Sequence, residues 1–456
     1  QNFGKINNSF STATVSASTN ATFVGGLVGE NSGGTITRSH AGGTVNGGAA
    51  ASDVGGLVGG LQGGTVDYSY ATGNVTGSSL YVGGLIGYSY GGGSVVSVIS
   101  NSYATGSVSG SSYVGGLLGA NYGFSGPSTI SNSYATGNVS GTSAVGGLVG
   151  HNYGGAGGNP AISNSYATGS VTGAAGASFV GGLVGNNAGA GALGGTVTNS
   201  FSTGSVSAGA GSSSVGGLIG NNAGTVTGSF WDKTSSGQAT SAAGTGMTTA
   251  NMQNQANFTS STAANGNLNP AWDFSGTWIM SGGYPLLLSG MTALTVTANN
   301  ASSIFNGAAY ASNNGVTYTG LDGYRYSAMP SGLTGSLSYG GTSQTAVNAG
   351  TYTIIASGLS STGQQGYLIT FVNGALTINP LALTGSISAG SSVYGAVLAP
   401  GTVTFTNMVA GHTVTAAPVT VNTAGLTSSS GNLTAGTHTG IESVSGTLSG
   451  ADAGND

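Results

Sequence analysis

No cysteine occurs among the 456 residues of the chain. Disulfides, thiolate nucleophiles and cysteine-ligated zinc are therefore excluded. Charge is nearly absent as well. Only 3% of residues are Asp, Glu, Lys or Arg, against roughly 25% in ordinary soluble domains. The four cations, Lys5, Arg38, Lys233 and Arg325, stand far apart. Nucleic-acid binding through phosphates needs clustered cations, so that class is excluded, and a basic membrane-surface patch goes with it. No apolar run approaches the roughly 20 residues of a membrane-spanning helix, which argues against direct membrane insertion. The sequence has only 8 prolines, and its 91 glycines follow no three-residue period, so collagen is excluded too.

The glycines instead recur in fixed phrases. Val-Gly-Gly-Leu-Val-Gly, or a close variant, begins at Val24, Val54, Val82, Val114, Val145, Val180 and Val215. Between copies stands a second phrase, clearest from Ile99 to Gly110 and repeated from Ile130 and Ile162. Each repeat reads as three short extended segments, such as 99–104, 107–109 and 113–118, joined at glycine corners where positive φ is cheap. One repeat cannot bury its apolar side, but stacked repeats can. The predicted fold is all-β, a right-handed parallel β-solenoid with a C-terminal cap, followed by small Ig-like β-sandwich domains. The expected boundaries are 1–230 for the solenoid, 231–290 for a cap, 291–380 for one β-domain and 381–456 for a second, incomplete one. A short helix is expected over 247–258, with Thr248 or Thr249 capping it.

Stacking turns equivalent residues into columns. Tyr70, Tyr103, Tyr134, Tyr166 and Phe201 are expected to form an aromatic column, and Asn101, Asn132, Asn164 and Asn199 an amide ladder. Strict alternation places the aromatic column on the same side as Ile99, in the core. Tyr88, Tyr90, Tyr122 and Tyr153 fall in the segments of variable length and read as loop tyrosines able to bind a ligand. A threonine column, Thr72 to Thr203, has one Thr per coil next to a glycine, too sparse for an ice-binding face.

Catalysis requires convergent titratable groups. The repeats hold only Glu30, Asp53 and Asp67, with Asp53 and Asp67 as the one conceivable carboxylate pair. His40, His151, His412 and His438 are isolated in sequence, whereas a metal site needs three or four ligands. The expected catalytic, cofactor and metal sites are accordingly none, and the chain reads as a non-enzyme.

The two repeat phrases resemble the GLUG-type repeats of bacterial surface proteins. Further on, 339–343, 348–353 and 371–380 resemble the bacterial Ig-like MBG repeats. The tail 440–455 is similar to a companion, YDG-type repeat of the same giant proteins. Together the resemblance is to a filamentous-haemagglutinin-like adhesin of two-partner secretion. It implies a secreted, outer-membrane-associated rod or stalk for attachment. The implied partners are a host or matrix glycan or protein receptor and an outer-membrane transporter for the full-length protein. The alternative is a carbohydrate-binding solenoid that uses the loop tyrosines. With no signal peptide at Gln1, the chain reads as an interior fragment.

Overall fold

The computed structural model describes every residue except 79, 191–193, 281, 282, 313, 321–324, 327, 328 and 362. Two compact units emerge, Gln1–Met291 and Thr292–Asp456.

The first unit is a parallel β-solenoid of seven coils. Each coil contributes one short strand to each of five faces. In the fourth coil these are Ser97–Ser100, Tyr103–Ala104, Val108–Ser109, Tyr113–Gly115 and Leu118–Gly123, here called the first to fifth faces. Every strand pairs in parallel with its equivalent in the next coil, so Ile99 faces Ile130 and Val114 faces Val145. The first face gains an eighth strand, and the second an eighth and a ninth, ending at Thr245–Met247.

Five strands replace the three segments expected from sequence, for two reasons. The first segment breaks at Asn101, which adopts a left-handed conformation with φ 47°, as Asn132, Asn164 and Asn199 also do. Asparagine tolerates that region better than most residues. The break also resets the alternation. Ile99 and Ala104 both enter the main core, while Tyr103 turns outward. The aromatic column therefore stands on the outer side of the second face, not in the core with Ile99.

The other break is the glycine phrase. Its glycines at the fourth-to-fifth corner are not among those with positive φ. They are required by close backbone approach instead. A Cβ on Gly146 would lie 2.0 Å from Val149 O and 2.7 Å from Gly185 N, and one on Gly147 would lie 2.1 Å from Gly182 O. The chain folds back on itself there with no room for a methyl group.

Two cores result. Ile36, Leu57, Leu85, Ile99, Leu117 and their equivalents fill the main one. A row of valines, Val54, Val75, Val82, Val108, Val114 and their equivalents, zips the third face to the fourth. A polar ladder lines the corner between the first and second faces. Ser102 N donates to Ser133 Oγ at 3.2 Å, and Ser133 Oγ donates to Ser131 O at 2.7 Å. This pattern runs through Ser39, Ser69, Ser102, Ser133, Ser165 and Ser200. Each buried turn amide is thereby paired, as burial demands.

A tight amide ladder does form, but with different residues from those expected. Asn121, Asn152, Asn187 and Asn222 are linked side chain to side chain at 2.7–2.8 Å along the fifth face. Of the corner asparagines, Asn132 donates to Asn101 at 3.4 Å and Asn101 to Asp67 at 2.8 Å.

After Asp232 the chain turns back over the outer side of the second face. The expected helix resolves into two single turns, Thr249–Met252, capped by Thr248, and Ala256–Thr259. Met247, Met252, Phe258, Trp272, Trp278 and Leu287 cover Tyr134, Tyr166, Phe201 and Phe230. Asp232 anchors this cap. Its carboxylate accepts from Thr234 N at 2.7 Å, Ser235 N at 3.1 Å, Thr249 Oγ1 at 2.7 Å and Tyr284 OH at 2.6 Å. Burial alone pushes this carboxyl upward, but these bonds outweigh it and leave the group below the ordinary carboxylate value.

The second unit opens with two four-stranded sheets in a sandwich-like arrangement over 292–379. Their inner residues include Val296, Ile354, Leu376 and Ile378. The region from 381 to 456 forms only three two-stranded pairs. No strand forms over 391–397. Val393 and Val397 are 80% and 93% exposed, so alternation there meets no opposing layer.

Candidate aromatic face of coils three to five

The structure displays two sets of outward-facing rings, most of them half-buried, and they differ in geometry. The column on the second face is longer than expected, running Phe10, His40, Tyr70, Tyr103, Tyr134, Tyr166 and Phe201. Neighbouring centroids are 4.6–5.3 Å apart with planes within 11°. His40 is thus a stacked member of this column. Parallel stacking uses both faces of every interior ring and leaves only edges outward. The C-terminal half of the column is buried under the cap.

The second set lies where the fourth and fifth faces meet. Tyr88 and Tyr90 sit on the strand Ile86–Gly91, Tyr122 on Leu118–Gly123 and Tyr153 on Val149–Gly154. All four are strand residues, not loop residues. The fifth-face strands extend past the core, and alternation turns positions 88, 90, 122 and 153 outward. Tyr90, Tyr122 and Tyr153 are in register in consecutive coils. Tyr81 and Tyr113 reach in from the fourth face, which the glycine corner folds against the fifth. Tyr88–Tyr122 and Tyr122–Tyr153 centroids are 5.4 and 5.3 Å apart, with planes inclined at 50° and 46°. Tyr81–Tyr113 and Tyr88–Tyr90 are nearer parallel, at 14° and 20°, and all six tyrosines are half-buried.

His151 occupies the centre. Its ring stacks on Tyr113 at 4.7 Å, and Nδ1 lies 3.3 Å from Tyr122 OH. Nε2 is buried without a hydrogen-bond partner. Burial lowers the His151 pKa to about 4, so the ring is neutral at pH 7. The sequence pointed to Tyr88, Tyr90, Tyr122 and Tyr153 but missed Tyr81, Tyr113 and His151, because the members come from two faces and three coils. A signal for His151 was that fifth-face outward positions change from repeat to repeat: Glu30, Gly60, Tyr88, Ala120, His151, Asn186.

At the N-terminal side of the strip, Asp53 faces Glu30, and both are buried. The carboxylate pair is therefore Glu30 and Asp53. Asp67 is on the first face, accepting from Ser100 and Asn101, so the Asp53–Asp67 pairing expected from sequence does not form. Burial, then the charge of Glu30, raises Asp53 to about 6 despite a hydrogen bond from Ser52. No group of three metal-ligating side chains occurs among the described residues.

Asp53 and His151 should tilt stability in opposite directions. The folded Asp53 pKa is above its unfolded value, so its ionisation penalty grows as pH rises from about 4 to about 6. The folded His151 pKa is below its unfolded value, so its penalty grows as pH falls from 6.5 to about 4. Each contributes on the order of 1–2 kcal/mol once residual solvent is allowed for. In Asp53→Asn, the stability of the first unit should rise with pH across this window relative to wild type. In His151→Asn it should fall, and asparagine fits because Asn186 holds the equivalent position. Urea titrations followed by tryptophan fluorescence read this unit alone, since all three tryptophans lie in it. Parallel profiles for the two variants would refute the assignment.

With the coil geometry in hand, comparison with known families becomes specific. Residues 50–76, 78–109, 110–140 and 141–172 match the GLUG motif. The first of these GLUG stretches contains one strand of every face, Asp53–Gly55, Val58–Gln62, Gly64–Asp67, Tyr70–Ala71 and Val75–Thr76. One GLUG motif is thus one coil of this solenoid, read from the fourth face round to the third. The aromatic strip lies on the last three GLUG stretches. No curated protein and no solved structure matches the chain.

Proposed function

We propose that the chain is a structural and adhesive segment of a large exported bacterial surface protein. The solenoid acts as a rod, and the aromatic strip is its contact surface. The carrying observation is where the coils vary. Inward positions repeat as Val, Leu, Ile, Ala, Ser and Asn. Outward positions of the third face are Ser or Thr in the central coils, at 109, 140, 172 and 207. The outward positions of the fourth and fifth faces change character from coil to coil and gather inclined aromatics, whereas the second face keeps one stacked column. A pure spacer has no need of such a patch, and contiguous surface apolar patches mark interaction surfaces.

In this reading export, by a dedicated outer-membrane transporter, precedes display at the cell surface, and the receptor is a glycan or matrix protein. The full chain should be retained on an array of host matrix proteins and cell-surface glycans. Tyr122→Arg, on the strip, should abolish retention, and Thr136→Arg, on the outer corner beside the third face, should leave it intact. A folded chain retained nowhere would sink the adhesive role and leave a spacer.

A further inference from the structure

The strip has a definite shape and chemistry, and these select its ligand class. It spans three coils, each rising about 4.8 Å. Tyr90, Tyr122 and Tyr153 place one ring per coil along the axis. Tyr81, Tyr88 and Tyr113 flank that line, with Tyr81–Tyr88 centroids 5.0 Å apart. Phe124, 47% exposed, extends it at the corner beside Tyr90.

Size excludes a stable protein interface at this strip alone. Such interfaces engage roughly 20–30 residues a side, and fewer than ten line the strip. Charge excludes anionic ligands. No Lys or Arg occurs between residues 39 and 232, and the nearest charged groups, Glu30 and Asp53, would repel an anion. Burial raises the Tyr88 and Tyr122 hydroxyls above their ordinary pKa, so both remain protonated donors. Half-buried aromatic rings with interleaved hydroxyls suit a flat molecule whose faces carry C–H groups and whose rim carries hydroxyls. His151 Nε2 adds an unmet polar group beneath the strip.

We infer that the strip binds a neutral, unbranched oligosaccharide, its chain parallel to the solenoid axis with about one sugar ring per coil. This rests on the reading of the strip as the contact surface, and it names what that surface takes. The second-face column is not a second such site, because its rings cover one another's faces.

The test is titration calorimetry of the full chain against cellohexaose, xylohexaose, mannohexaose and chitohexaose, with oligogalacturonate as the anionic probe. At least one neutral hexamer should bind at micromolar to millimolar concentration, and the anionic probe should not. Tyr153→Ala and Tyr88→Ala should each weaken binding tenfold or more. Both should fold, since the register places Ala188 and Ala120 at the equivalent positions. Tyr70→His, which copies His40 in the other column, should change affinity less than twofold. The inference falls if no neutral hexamer binds at millimolar concentration, if the strip variants bind like wild type, or if the anionic probe binds as well. Should the array retain the chain on a protein through Tyr122 while every sugar fails, the adhesive reading stands and the sugar assignment is wrong. Should both experiments be silent, both readings fall.

Discussion

Gly146→Ala is expected to destabilise the solenoid by more than about 4 kcal/mol, while Gly42→Ala is expected to be neutral within about 0.5 kcal/mol. Both add one methyl group to a glycine of the repeat. The difference is what the methyl would meet. At Gly146 it would press on backbone, 2.0 Å from Val149 O within the same coil and 2.7 Å from Gly185 N in the next. Neither can swing aside as a side chain can. Relief requires opening the corner, which separates the fourth and fifth faces and strains the bond from Gly147 N to Gly181 O. In a stack, each coil rests only on its neighbours, so the damage splits the rod at the fifth coil. At Gly42 the nearest atom is Thr72 Oγ1 at 3.7 Å, and Thr72 itself fills the equivalent position one coil on. Urea unfolding followed by circular dichroism, with limited proteolysis between coils five and six, checks the pair. Equal midpoints for the two variants would show that close backbone approach is not the reason for these glycines.

That contrast also shows what was legible in the sequence. The repeat and its parallel stacking follow from wording that recurs with an apolar pattern. The sandwich strands of the second unit were readable from alternation in the same way. The reason for the glycines was not, because a close approach between distant backbones has no local signature, whereas a positive φ does. The column of Tyr103 was placed on the wrong side by counting in twos across Asn101, whose left-handed turn cancels the count. The ladder of Asn121, Asn152, Asn187 and Asn222 was missed because the segments around it vary in length, and its register appears only once coils are aligned in space. The aromatic strip was read as loop residues for the same reason. Length variation between Tyr122 and Ile130 comes after the strand, so the tyrosines themselves remain on the ladder.

Trp278→Ala is expected to cost about 3–5 kcal/mol and to release the cap. Trp278 is fully buried, packed on Trp272 at 4.6 Å and on Phe201 at 5.9 Å between ring centroids. It therefore joins the returning chain to the aromatic column. Without the indole, Phe201, Tyr166 and Tyr134 lose their cover, and the last strand of the second face, Thr245–Met247, loses the packing that holds it. An uncovered column beside a free strand edge is a template for pairing with another chain. The alanine variant should thus unfold at lower urea, bind a hydrophobic dye and form soluble oligomers. Trp278→Phe separates packing from hydrogen bonding. The indole Nε1 is buried with no partner, and an unpaired buried donor costs about 1–3 kcal/mol. Phenylalanine gives up some contact area but removes that donor, so the two changes offset and the net loss should stay within about 1 kcal/mol. If the phenylalanine variant proved as unstable as the alanine variant, the indole nitrogen would have to be stabilising the cap. If neither variant moved the transition, the cap would not be part of the cooperative unit, and the solenoid would be held by its ladders alone.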